Sequence, residues 1–227
     1  MLFVLMYHIL KKILPMESIT RLKDVLKQLV LKVKYLVPLL LMSFNVYDGG
    51  NVNESLSFDI VNKEKSIGQV SINKQTDGTI TTYVIKSSVE ARFLMKFKAY
   101  GYETSIYEND TLVYSSIYRK INNRVKVDQV VEYKEGNYYL NNNRKVELNK
   151  PEIIQCNIVQ LFFNEPIGIT KVYCDKQQRF LRIKSLGGGK YKVQFNKGSY
   201  NVFYYQDGKC TYVEAIGTFY KVLLEKK

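Results

Sequence analysis

From Leu56 onward, apolar and polar residues alternate with a period of two. That is the spacing of a strand with one face buried and the other in water. RVKVDQVVEY puts Val125, Val127, Val131 and Tyr133 on one face and Arg124, Lys126, Asp128 and Glu132 on the other. KYKVQF repeats the pattern, with Tyr191, Val193 and Phe195 opposite Lys190, Lys192 and Gln194. Turn signals punctuate these runs: TDG at 76–78, END at 108–110, NN at 122–123, EGN at 135–137, NKGS at 196–199 and QDGK at 206–209. Short links between such runs join antiparallel neighbours, so the pattern predicts a meander of hairpins. No strand–helix–strand alternation occurs, which argues against a parallel sheet.

The stretch from Thr79 to Asn109 has no proline and one glycine, Gly101. It predicts two long strands that meet near Val89 to Arg92. In the second, Phe93, Met95, Phe97 and Ala99 share a face, and Gly101 follows on that face where a curved strand bends. Ten or more such strands with one apolar face predict a mainly β fold, a curved sheet or half-open β-barrel over residues 45–227.

One segment breaks the period. PEIIQCNIVQLFF spaces Ile154, Ile158 and Leu161 as a helix does, with Pro151 and Glu152 suited to a first turn and Asn149 to a cap. A short helix over 152–162 is therefore expected, over the barrel mouth or on the concave face. NEPIG ends it, because Pro166 pushes Glu165 into extended backbone. Glu165 then reads as a turn residue, since a lone carboxylate has no partner for acid–base work. Gly168 supplies a backbone conformation closed to other residues, and a strand from Ile169 to Asp175 follows.

Residues 1–44 form a leader of different character. KYLVPLLLMSF is an apolar run of 11 residues behind Lys27, Lys32 and Lys34. It is too short to span a bilayer but suits the hydrophobic core of a secretory signal. Ser43 is a small residue after which cleavage fits, and Met16 offers a later start. The other reading is an uncleaved anchor over residues 25–47, made costly by Lys32 and Lys34. Export to the periplasm or cell envelope of a Gram-negative bacterium is expected, with membrane association through the leader if it is retained.

The formal charge is +13. The leader carries seven Lys/Arg against Glu17 and Asp24, and the remainder 27 against 19 acidic residues. Cationic domains favour anionic partners, although a solvated surface is the simpler reading. Cys156, Cys174 and Cys210 contain no C-x-x-C pair, which disfavours zinc, and one disulfide among them stays open. The single histidine, His8, lies in the leader. The domain thus has no imidazole for Ser-His-Asp or Cys-His catalysis or for a histidine metal site. SLGGGKYKV lacks the phosphate-loop spacing and reads as a hairpin turn. The 19 tyrosines read as strand formers and not as a nucleic-acid stacking surface.

Four local patterns carry a resemblance. SIGQVSI at 66–72, the central SSVEARFLMKFKAYGYETSIYENDTLVYSS, LFFNEPIGITKVYCD and YNVFYYQDGKCTYVEA follow the order of an exported bacterial β-protein family. That family is described as a domain of unknown function and is common in the Bacteroidetes. Cys156 and Cys174 stand where it is expected to have small polar residues. The layout is also similar to periplasmic half-barrels that bind acyl chains, a likeness of fold alone. The resemblance brings no catalytic residue, cofactor or metal.

These readings converge on a non-enzymatic envelope protein that holds an apolar or lipid-like ligand on its curved sheet. Phe93, Met95, Phe97, Leu161 and Phe162 are the candidate ligand-binding residues. The alternative is a structural module whose strand edges pair with another envelope protein.

Overall fold

The computed structural model describes residues 52–92, 96–141, 145–148, 152–218 and 220–227. The leader, with His8 and Ser43, lies outside the described residues, as do Phe93, Met95, Asn149 and Pro151.

The strands are β1 (Val52–Asn62), β2 (Lys65–Asp77), β3 (Ile80–Arg92), β4 (Lys96–Glu108), β5 (Thr111–Ile121), β6 (Arg124–Lys134) and β7 (Asn137–Asn141). They continue with β8 (Lys145–Leu148), β9 (Lys171–Cys174), β10 (Arg179–Gly187), β11 (Lys190–Asn196), β12 (Ser199–Gln206), β13 (Lys209–Gly217) and β14 (Tyr220–Lys226). All fourteen belong to one antiparallel sheet, in the order β8-β7-β6-β5-β4-β3-β2-β1-β14-β13-β12-β11-β10-β9. The chain starts mid-sheet, walks out to β8, crosses to the far edge and walks back until β14 lies beside β1. The meander is as the alternation predicts.

Turn chemistry sets the hairpins. Asn109 and Asp110, and Asn122 and Asn123, all have positive φ. Such pairs form tight turns whose twist matches the strands. The β3–β4 link falls at residues 93–95 and not at 89–92, because Val89 to Arg92 still pair with Ala99 to Lys96. A strand keeps its ladder as long as partners are in register. Register shifts between Ile106 and Tyr107 and between Arg119 and Lys120 add bulges that curve the sheet. Gly101 is buried in a close contact. A Cβ there would stand 2.5 Å from the Ser87 hydroxyl.

The predicted helix is mostly absent. Only a 3-10 turn, Ile158–Phe162, forms, with Asn157 in extended backbone before it. Residues 152–156 have no regular secondary structure. Their backbone is already engaged: the Leu112 N–H donates to Ile154 O at 2.9 Å, and the Tyr173 N–H to Cys156 O at 2.9 Å. The Ile154 N–H donates to the Tyr138 hydroxyl at 3.0 Å. Tertiary hydrogen bonds outcompete a helix whose propensity is only average. The following strand is likewise shorter than Ile169 to Asp175, being Lys171–Cys174.

This crossing segment fills the concave side. Phe162 packs edge-on against Phe58 and Phe203, each ring centroid 5.4 Å away. Leu161 is fully buried, and its carbonyl accepts a 2.5 Å bond from the Tyr205 hydroxyl. Gly168 has φ +76, as its place in the turn demands. Around the segment lie Ile72, Leu112, Val172, Val193 and Val213, which have no solvent contact. Among the described residues no helix is long and apolar enough to cross a membrane.

A cavity with a charged end

The sheet does not close into a ring; its β9 edge tucks against the inner face of β4 to β6. The Asn157 amide, just before the 3-10 turn, donates to Ser105 on β4 at 2.8 Å and to Asp175 after β9 at 3.0 Å. Gln129 on β6 donates to the Asp175 carbonyl at 2.6 Å. Strand parity explains which side chains face inward here. Glu103 and Ser105 share the face of Gly101 and Tyr107, and pair with Ile117 and Ser115. The inner wall of β4 and β5 is therefore a polar column within an apolar sheet.

Between this column and the 3-10 turn lies a cavity of about 340 Å³. Ile85, Ile117, Val159, Phe162, Phe195 and Leu224 line it, and among them stand the charged and polar Glu103, Arg119, Asn157, Asp175 and Lys176. Arg119 donates twice to one oxygen of Glu103, Oε1, from Nε at 3.1 Å and from Nη2 at 2.5 Å.

Asp175 is the unusual member. As a residue it is half-buried, yet its Oδ1 has no solvent contact and no hydrogen-bond partner. Burial pushes its carboxyl up to about 6, and the nearby Glu103 charge adds to this, while Ser115 and Asn157 pull it down. Asn157 Oδ1 and the hydroxyls of Tyr107 and Tyr173 are also buried without partners. Both tyrosine hydroxyls are pushed up from the ordinary range by burial and then by the Asp175 charge, Tyr107 well above it.

The five candidate residues fare differently. Leu161 and Phe162 sit in the core; Phe162 lines this cavity, and Leu161 lines a second hollow beside the crossing segment. Phe97 is half-buried near the β3–β4 link and does not line it. Phe93 and Met95 lie outside the described residues. Sequence reasoning passed over Glu103, Ser105 and Arg119, although parity with Phe97 and Ala99 marks the first two as inward. Asp175 carried no such signal, because its place depends on how the sheet rolls.

Two other hollows, of about 350 and 600 Å³, lie beside the crossing segment and along the β2–β5 hairpin ends. Glu152 in the first is paired with Lys171. Cys156, Cys174 and Cys210 are free thiols, pushed up by burial, Cys156 to about 11 and Cys210 to about 12. They carry no thiolate character at neutral pH. Among the described residues no group of three or more His, Cys, Asp or Glu side chains stands close enough to hold a metal.

The profile of one family, Domain of unknown function (DUF6134), matches residues 58–227. The chain belongs to the DUF6134 family. The match covers the described sheet from the middle of β1 to the end of β14, so the cavity lies wholly within the DUF6134 domain. No curated protein matches the chain. Among solved structures the fold is similar to the crystal structure of a β-barrel-like protein of domain of unknown function DUF1849 from Brucella abortus. Identity is 10%, with 78% of this chain and 95% of that chain covered and a TM-score of 0.47.

Proposed function

We propose that this domain is a non-enzymatic binding protein of the cell envelope, which holds an amphipathic, lipid-like ligand in the cavity. The observation that carries the reading is a cavity whose lining joins apolar side chains to a few charged ones. Ligand sites are commonly apolar with a few fixed polar groups, and their volumes begin near 300 Å³. At about 340 Å³ the cavity suits a short apolar chain with a small head group. The leader, with its basic flank and apolar run, supports export.

Strand addition by a partner is less well supported. The free side of β9 is partly occupied, since the Tyr173 N–H already donates to Cys156 O. An edge with its donors taken is a poor template for another strand.

Native mass spectrometry of protein purified from its host tests the reading. A bound small molecule should survive gentle ionisation and be extractable into organic solvent. Ala215 lines the cavity. Ala215→Phe should fill it and abolish the bound mass while the far-ultraviolet circular dichroism stays that of the wild type. Protein that emerges without ligand, and takes up no short-chain amphiphile in titration, overturns the proposal.

A further inference from the structure

The charges of the domain are not spread evenly between its two ends. Antiparallel strands put successive turns at opposite ends of a sheet. One end carries the β1–β2, β5–β6, β9–β10 and β11–β12 turns and the start of β14. In the first of these turns Lys63 and Lys65 flank Glu64. Lys120, Arg124 and Lys126 surround the second. Lys176 and Arg179 belong to the third, and Lys197 to the fourth. Two hydrogen bonds hold the β9–β10 turn against β6: Gln129 donates to the Asp175 carbonyl at 2.6 Å, and Gln178 donates to the Gln129 amide oxygen at 3.2 Å. The cations of both halves of the sheet therefore share one rim. The opposite end is mixed, with Asp77, Asp110, Glu135 and Asp207 in its turns beside Lys134, Lys190 and Lys209.

Little on the rim neutralises this charge. Lys98 pairs with Glu90, and Lys221 with Glu214. Among the described residues no ion pair includes Lys63, Lys65, Arg124, Lys126, Lys176 or Lys197, and all of these are exposed. Like charges crowded on one rim repel one another, and an anionic surface relieves that repulsion. Apolar side chains stand among the cations: Tyr100, Val125 and Tyr220 are exposed by 46%, 52% and 55%. A nucleic acid asks instead for a groove that tracks its backbone and for rings on which bases stack, and it gains nothing from Val125. The headgroup layer of a bilayer takes both kinds of side chain. It is anionic at the surface and apolar just beneath, and tyrosine rings favour that boundary.

We propose that this rim docks on an anionic phospholipid surface. The inference does not rest on the cavity holding a ligand. Lys176 and Tyr220 also line that cavity, so docking would set part of its lining against the bilayer.

The test is co-sedimentation of the full chain with vesicles of equal parts phosphatidylglycerol and phosphatidylcholine, in about 0.1 M sodium chloride. One variant carries Lys65→Gln, Arg124→Gln, Lys126→Gln and Lys197→Gln. Its control carries Lys184→Gln, Lys190→Gln, Lys209→Gln and Lys226→Gln towards the opposite end, an equal loss of charge. The leader is common to all three proteins. Every side chain changed is exposed, so the circular dichroism of both variants should be that of the wild type. A cation near an anionic membrane strengthens binding by about fivefold, so the rim variant should bind roughly a hundredfold more weakly and the control within about threefold of the wild type. Vesicles of phosphatidylcholine alone should hold the wild type no better than the rim variant. Ala215→Phe should dock as the wild type does. Equal binding by the two variants, or equal binding of the wild type to both kinds of vesicle, overturns the proposal. A single-stranded oligodeoxynucleotide that binds the wild type while the anionic vesicles do not overturns it in favour of nucleic acid. Loss of vesicle binding in Ala215→Phe overturns it too, by assigning the binding to the cavity. Protein that carries no ligand and still docks through its rim upholds it and sinks the ligand site alone.

Discussion

Glu165 and Gly168 stand three residues apart in one turn and differ in what they contribute. The Glu165 N–H donates to Gly208 O at 3.1 Å, and its carboxylate accepts from the hydroxyl of the half-buried Tyr191. The first bond is a backbone bond that any residue makes, and the second is one that a glutamine side-chain oxygen can still accept. Gly168 holds φ +76 with no atom within 4 Å of a would-be Cβ, so a side chain there meets strain but no clash. Glu165→Gln should leave the denaturation midpoint unchanged. Gly168→Val should lose about 1–3 kcal/mol in urea titration, and Gly168→Asn should lose less, since Asn tolerates that region. Asp175 offers a second prediction at this scale. Its folded value of about 6 lies above the ordinary 3.8. The folded chain therefore holds the proton more tightly than the unfolded one. The stability this gives is fully present below pH 3.8 and lost as pH rises through about 6. In ligand-free protein, Asp175→Asn should be more stable than wild type at pH 7, by on the order of 2–3 kcal/mol, and should match it near pH 4. Melting curves across this range check both the size and the sign.

Among the elements, strands were legible and the crossing segment was not. RVKVDQVVEY and KYKVQF show their inner faces by simple alternation, and Asn122-Asn123 announces its turn by residue type. Such signals are local, so they survive in a single sequence. The spacing of Ile154, Ile158 and Leu161 is equally local, yet only the last two fall in the 3-10 turn. What decided the matter was non-local: Leu112 and Tyr173 reach in to bond Ile154 and Cys156. The polar column was half legible, through the parity of Glu103 and Ser105, and was obscured because a charged residue on an inner face looks like a register error. The cavity floor gives a prediction for this scale. Leu161→Ala removes a fully buried side chain from beneath Phe162 and should cost about 2–5 kcal/mol. Ligand affinity should fall with it, since Phe162 and Val159 lose their support. A destabilised variant that binds as tightly as wild type would show that the floor is not part of the site.

For the molecule as a whole, the decisive pairing is β1 with β14, where Phe58 to Val61 meet Lys226 to Leu223. Among the described residues it is the one ladder that joins the β1–β8 half of the sheet to the β9–β14 half. The partners stand more than 160 residues apart at the Phe58–Lys226 pair, so the loop closed is almost the entire domain. Ladders of that range form late, because chain entropy is spent before they repay it. A chain ending at Gly217 should leave the β1 and β13 edges unpaired, and limited proteolysis should cut it where the full chain resists. The same seam sets a clock on biosynthesis. Strand β14 leaves the ribosome after strands β1 to β13, so a nascent chain cannot join the two halves of the sheet before β14 emerges. Until β14 emerges the two halves of the sheet stay unlocked, and a chain in that state is still threadable.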